Sequence, residues 1–160
     1  MPNIIGHCWQ PNRPSEILRT LEIKYESESK NMSMSLAQKL AADSVAAVAE
    51  GRNLQDVLAE IRAAHPQLTA QENGALQDIA YGCQRYLGSL KHMLGQMLKK
   101  PIDNPQLESL LLAAMYQLHY TRNAPHAVVN EAVESIAKIG RGQFRSFANA
   151  ILRRFLRERD

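Results

Sequence analysis

Apolar residues recur at helical spacing from Ser35 to near the end of this chain, and nowhere do they keep the strict alternation of a strand. Leu36, Leu40, Ser44 and Val48 share one face of a first helix, which Gly51 ends as a C-cap residue would. Leu54, Val57, Leu58 and Ile61 follow the i, i+3, i+4, i+7 rule and stop before His65-Pro66. Thr69, with Glu72 three residues on, forms a capping box that opens a third segment. Behind it, Leu76, Ile79, Ala80, Cys83, Leu87, Leu90, Leu94 and Met97 draw a single apolar stripe. Gly82, Gly88 and Gly95 interrupt that stripe, each costing about 1 kcal/mol relative to alanine in a helix. A kink is expected near Gly88-Ser89, with Cys83 on the core face as a small hydrophobe.

Asp103-Asn104-Pro105 is a strong start signal, joining a capping side chain to a proline at the first helical position. The helix it opens, QLESLLLAAMYQLHY, is apolar nearly all round and therefore predicts a central buried rod. Pro125 starts another, with Val129, Ala132, Val133 and Ile136 inward and Glu131, Glu134 and Lys138 outward. Glu134 and Lys138 stand at favourable i, i+4 spacing. Gly140 and Gly142 break this helix. Phe144, Phe147, Ala148, Ile151, Leu152 and Phe155 then form the inner face of the last one, with Arg153 and Arg157 opposite and Arg154 on its flank. The pattern predicts an all-α bundle of six to seven helices over residues 33–160. Residues 1–32, with three prolines among the first fourteen and a thin apolar face, are expected to be an extension dispensable to that core.

Composition narrows the class. The chain has 160 residues, 45% of them hydrophobic and 22% charged, which suits one soluble domain. No apolar run approaches the roughly 18–20 residues of a membrane span, and no basic-then-apolar leader opens the chain. Cys8 and Cys83 stand far apart, so reduced thiols and a cytoplasmic location are expected. Charge is unevenly spread. Residues 138–160 carry seven Lys or Arg against two acids, a net +5, while the other 137 residues carry −2. A basic end on a near-neutral body suggests a polyanionic partner.

Catalytic patterns are missing from the sequence. It has no glycine-rich phosphate loop and no strand-then-glycine turn for a nucleotide or S-adenosylmethionine. Histidines 7, 65, 92, 119 and 126 make no ligand pattern with the cysteines, so no metal is expected. Neither cysteine has a setting that suggests a nucleophile.

Three segments carry a resemblance: LQDIAYGCQRYLGSL (76–90), LESLLLAAMYQLHYTRNAPHAVVNEAVESIAK (107–138) and GQFRSFANAILRRFLRE (142–158). Together they resemble the NusB-like all-helical RNA-binding fold over about residues 35–158. The pairing of PHAVVNEAVE with a downstream FANAILRR is its most specific element. Two branches of that family differ. The free-standing antitermination factors use an arginine-rich first helix on boxA RNA and pair with ribosomal protein S10. Here the first helix reads SLAQKLAADSV, with only Lys39 basic. The other branch is the N-terminal domain of bacterial 16S ribosomal RNA cytosine-5 methyltransferases. Its hallmarks look like Tyr81-Gly82-x-x-Arg85-Tyr86 and NAILRRFLRE at 149–158, and both are present.

The second resemblance implies an RNA-binding module that helps hold 16S rRNA, followed by a Rossmann-type catalytic domain carrying S-adenosylmethionine. On that reading the chain alone performs no methyl transfer. Its partners are 16S rRNA and its own catalytic domain, and its last helix is a bundle helix whose chain continues. Lys39, Arg85, Arg122, Arg141, Arg145, Arg153, Arg154 and Arg157 are the candidate RNA contacts, the last three equally suited to docking against that domain. Arg85 beside Tyr81 and Tyr86 is a basic–aromatic grouping compatible with phosphate contact plus base stacking, and equally with packing. Asn130 and Asn149 are expected to bond neighbouring helices to one another, with RNA contact as the alternative.

Overall fold

A computed structural model of the chain describes residues 34–159, so the expected N-terminal extension lies outside the described residues. Those residues form seven α-helices and a short 3-10 turn, with no strand among them. Helix α1 covers residues 34–49. It is followed by α2 (Leu54–Ala64), α3 (Ala70–Arg85), α4 (Leu87–Met97), α5 (Pro105–Tyr120), α6 (Pro125–Ala137) and α7 (Arg145–Glu158).

The caps form as local chemistry requires. Thr69 Oγ1 accepts from the Glu72 amide at 3.1 Å, and Glu72 Oε2 accepts from the Thr69 amide at 2.7 Å, closing the capping box. Asn104 Oδ1 accepts from the amides of Gln106 and Leu107 at the start of α5, ahead of Pro105. Gly51 ends α1 at φ +96°, the left-handed conformation glycine adopts freely.

Helix α5 is the axis of the bundle. From Leu107 to Leu118 every side chain but Glu108 is buried, and α3, α4, α6 and α7 all pack on it. Where α1 meets this axis the core is polar: Gln38 Nε2 donates to Gln117 Oε1 at 2.7 Å, both side chains fully buried. Cys83 sits on the core face as expected, 3.8 Å from the Leu112 carbonyl, and burial pushes its thiol up to about 12. That thiol is inert at neutral pH.

The expected break and the place of Phe147 are both refined here. The long stripe from Leu76 to Met97 breaks at Tyr86 (φ −107°, ψ 17°), two residues before Gly88. Nothing lies within 4 Å of where a Gly88 Cβ would stand, so that glycine answers no steric demand. Tyr86 instead leaves the helix to stack on Tyr120, ring centroids 3.9 Å apart and planes within 7°. Phe147 is 37% exposed rather than on the inner face, which Ala148, Ile151, Leu152 and Phe155 fill. It borders a largely apolar cleft of about 760 Å³ with Met97, Ile102, Leu107 and Phe144.

Between α6 and α7 the chain reverses through Gly140 (φ 59°), Arg141 (φ 58°) and Gly142 (φ 83°). Glycine takes that conformation without penalty, whereas Arg141 pays on the order of 1–2 kcal/mol for it. The turn holds the arginine exposed at the corner that leads into α7.

Candidate nucleic-acid interface

The expected contact residues separate into distinct groups. On α7, Arg145, Arg153 and Arg157 are exposed, and with Asn149 they recur every four residues along one slowly winding ridge. Arg145 pairs with Glu134 of α6, and Arg153 Nε donates to Asn149 Oδ1 at 3.1 Å. Asn130, Glu134, Arg145, Ser146 and Asn149 line a polar notch of about 300 Å³ between α6 and α7. Asn149 therefore bonds within its own helix, and Glu134 pairs with Arg145 rather than with Lys138. Exposed pairs of this kind contribute about 0–1 kcal/mol, so a phosphate can displace them at little cost.

Arg154 behaves differently. Its Nε donates to Glu158 Oε1 at 2.8 Å and its Nη1 to the Met97 carbonyl at 3.5 Å. Met97 ends α4, so the guanidinium rests on a carbonyl at the negative end of a helix dipole. Arg159, which sequence reading did not single out, donates likewise to the Leu118 carbonyl near the end of α5. No local signal marks either role, because the acceptors lie 57 and 41 residues away along the chain.

Lys39 is exposed on α1 and pairs with Asp43 at 3.0 Å. Arg122 is exposed on the bend that follows α5. Glu131, expected on the outer face, is half-buried, and burial pushes its carboxyl up to about 7. Because the folded chain then holds that proton more tightly than the unfolded one, this group's contribution to stability declines as pH rises from about 4.5 to about 7.

Arg85 ends α3 in a second setting. Gln77, Asp78, Tyr81, Gly82, Gln84, Arg85 and Tyr86 form one wall of a cavity of about 670 Å³, and Tyr116 and Tyr120 of α5 form the other. The Tyr116 hydroxyl donates to Asp78 Oδ1 at 3.1 Å. Burial, then the Asp78 charge, pushes this phenol up to about 12, so it remains a donor. Tyr116 also stacks with Tyr86 and Tyr120 at centroid distances of 6.4 and 5.7 Å. Sequence reading found the α3 half of this cavity but not the α5 tyrosines opposite it.

Gly82 is what lets these walls approach. A Cβ there would stand 2.0 Å from Cζ and 2.2 Å from Cε2 of Tyr116. Gly82→Ala must displace that ring, an overpacking cost of about 1–3 kcal/mol against a helix-propensity gain of about 1 kcal/mol. The net loss of up to about 2 kcal/mol is expected to lower its melting temperature by up to about 8 °C. Gly74→Ala, on the same helix with open space around it, is expected to rise. Thermal denaturation of the two variants checks this, and shifts of the same sign would contradict the close contact.

A helical bundle wrapped around one apolar helix, with an arginine ridge on its last helix, defines the class. Its sequence matches the NusB family over residues 35–157, and the chain belongs to that family. Among curated proteins it is similar to "Ribosomal RNA small subunit methyltransferase B" of Cronobacter sakazakii, 32% identical over 126 residues, or 77% of this chain and 29% of that protein. The namesake from Sodalis glossinidius is 35% identical over 122 residues, covering 74% and 28%. The chain therefore spans under a third of the length of these relatives.

Proposed function

We propose that this chain is the RNA-binding N-terminal part of a ribosomal RNA (cytosine-5) methyltransferase and helps to hold 16S rRNA as substrate. The observation that carries this reading is the likeness to rRNA methyltransferases over about three quarters of the chain, beside a NusB-family match at residues 35–157 that includes the arginine ridge of α7. Three exposed guanidiniums spaced every turn or two suit successive phosphates, and their present partners are weak competitors. Methyl transfer, and the S-adenosylmethionine it consumes, falls on this reading to the length of the relatives that the chain does not span. An antitermination role, with boxA RNA and ribosomal protein S10, would call for an arginine-rich first helix. Here α1 offers Lys39 alone, already paired with Asp43.

Fluorescence anisotropy of a labelled, structured 16S rRNA fragment titrated with the 160-residue chain tests the reading. Affinity is expected to fall linearly on a log–log plot as salt rises. Absence of binding at low salt, or binding indifferent to salt, would overturn it.

A further inference from the structure

The tyrosine-walled cavity between α3 and α5 is separate in chemistry from the α7 ridge. A ridge of guanidiniums offers cations alone, whereas this cavity combines ring faces, one cation and one carboxylate. Tyr81, 41% exposed, stands one helical turn before exposed Arg85. Tyr86 and Tyr120 are half-buried and already stacked, so their rings are held in place without a ligand. Asp78 receives the Tyr116 hydroxyl through Oδ1, while Oδ2 has no protein partner among the described residues. The volume, about 670 Å³, lies within the range of small-ligand pockets and exceeds what one base with its sugar requires.

We propose that this cavity takes one unpaired RNA nucleotide, its base stacked on the tyrosine cluster, its N–H edge on Asp78 and its phosphate at Arg85. The inference rests on the RNA-binding reading above and specifies one subsite within it. Bases splayed out of single-stranded loops are the form in which proteins read RNA by stacking and edge hydrogen bonds. A carboxylate accepts but cannot donate, so it favours bases with two adjacent N–H donors, guanine foremost. Tyr116 fixes Asp78 in that acceptor role, since its own hydroxyl stays protonated and donates. Asp78 and the bound phosphate repel each other, which places the phosphate at the Arg85 end. Gly82 serves the same cavity, because without its bare backbone the Tyr116 ring could not lie beside α3.

The test uses the full chain with two labelled probes, the single-stranded pentanucleotide UUGUU and the structured 16S fragment. Wild type is expected to bind UUGUU more tightly than UUAUU, with quenching of tyrosine fluorescence. Tyr81→Ala, at an exposed position, is expected to weaken UUGUU binding at least fivefold, the lower end of one lost base–ring stack. Its melting temperature should stay unchanged. Asp78→Asn is expected to abolish the preference for UUGUU over UUAUU. Arg85→Gln should lower the slope of log affinity against log salt by about 0.7, one phosphate on a single strand. Binding of the 16S fragment but not of UUGUU would overturn the subsite and leave the broader reading standing. Binding of neither would remove both. Equal UUGUU affinity in wild type and Tyr81→Ala would show that the cavity takes no base and serves only packing or a protein contact.

Discussion

Gln117→Leu is expected to destabilise the chain by about 1–3 kcal/mol, and adding Gln38→Leu is expected to restore most of that loss. Gln38 and Gln117 are fully buried, joining α1 to the axis of the bundle, and the link runs through a single good bond of 2.7 Å. Gln38 Nε2 reaches the Val128 carbonyl only at 3.4 Å. Gln38 Oε1 and Gln117 Nε2 have no partner among the described residues. The pair is thus already half-satisfied. Removing Gln117 leaves the Gln38 amide in the core with only the long Val128 contact, at the full desolvation penalty of the lost bond. Replacing both amides by leucines of similar volume removes every stranded group at once. Denaturant unfolding of wild type, both single variants and the double variant reads the coupling directly. Single losses that simply add in the double variant would contradict the pairing.

Much of the fold was legible because its signals are local. The Thr69–Glu72 box, the Asn104-Pro105 start and the Gly51, Gly140 and Gly142 stops each depend on atoms within a few residues, and each formed as read. The uniform burial of α5 followed from a helix apolar on every side. What escaped was set by distant partners. Tyr86 breaks the α3–α4 stripe because Tyr120, 34 residues on, offers its ring face, and no periodicity encodes that meeting. Gly82 looked like one more helix-weakening glycine until Tyr116 was placed against it. Phe147 fits the apolar stripe by spacing, yet α7 turns it toward a cleft rather than the core. Glu131 reads as an outward charge on a wheel diagram but is half-buried on a helix packed between α5 and α7.

The candidate site shows the same division. The residue types and the side of α7 that carries Arg153 and Arg157 followed from the 3.6-residue period. The same period set Arg154 apart on the flank, but not its partner, the Met97 carbonyl at the end of α4. Arg145, by contrast, joins the ridge by lying eight residues before Arg153, a relation visible in the sequence once the helix start is fixed at Arg145 itself.

That division sharpens the second large effect. Changing Arg145, Arg153 and Arg157 to glutamine together is expected to leave the fold intact, since Ala148, Ile151, Leu152 and Phe155 keep the buried face. Only the exposed Glu134 pair and one intrahelical bond to Asn149 are lost, worth little each. If each guanidinium neutralises one phosphate, the slope of log affinity against log salt falls by about 0.7–0.9 per residue, about 2.1–2.7 in all. Arg154→Gln is the internal control: it should lower the melting temperature through the freed α4 terminus and leave the salt slope unchanged. Titrating the structured 16S fragment at several salt concentrations against wild type, the triple variant and Arg154→Gln is the direct measurement. The account predicts a shallower line and weaker low-salt binding for the triple variant alone. Superimposed lines for wild type and triple variant would contradict it and take the α7 ridge out of the RNA interface.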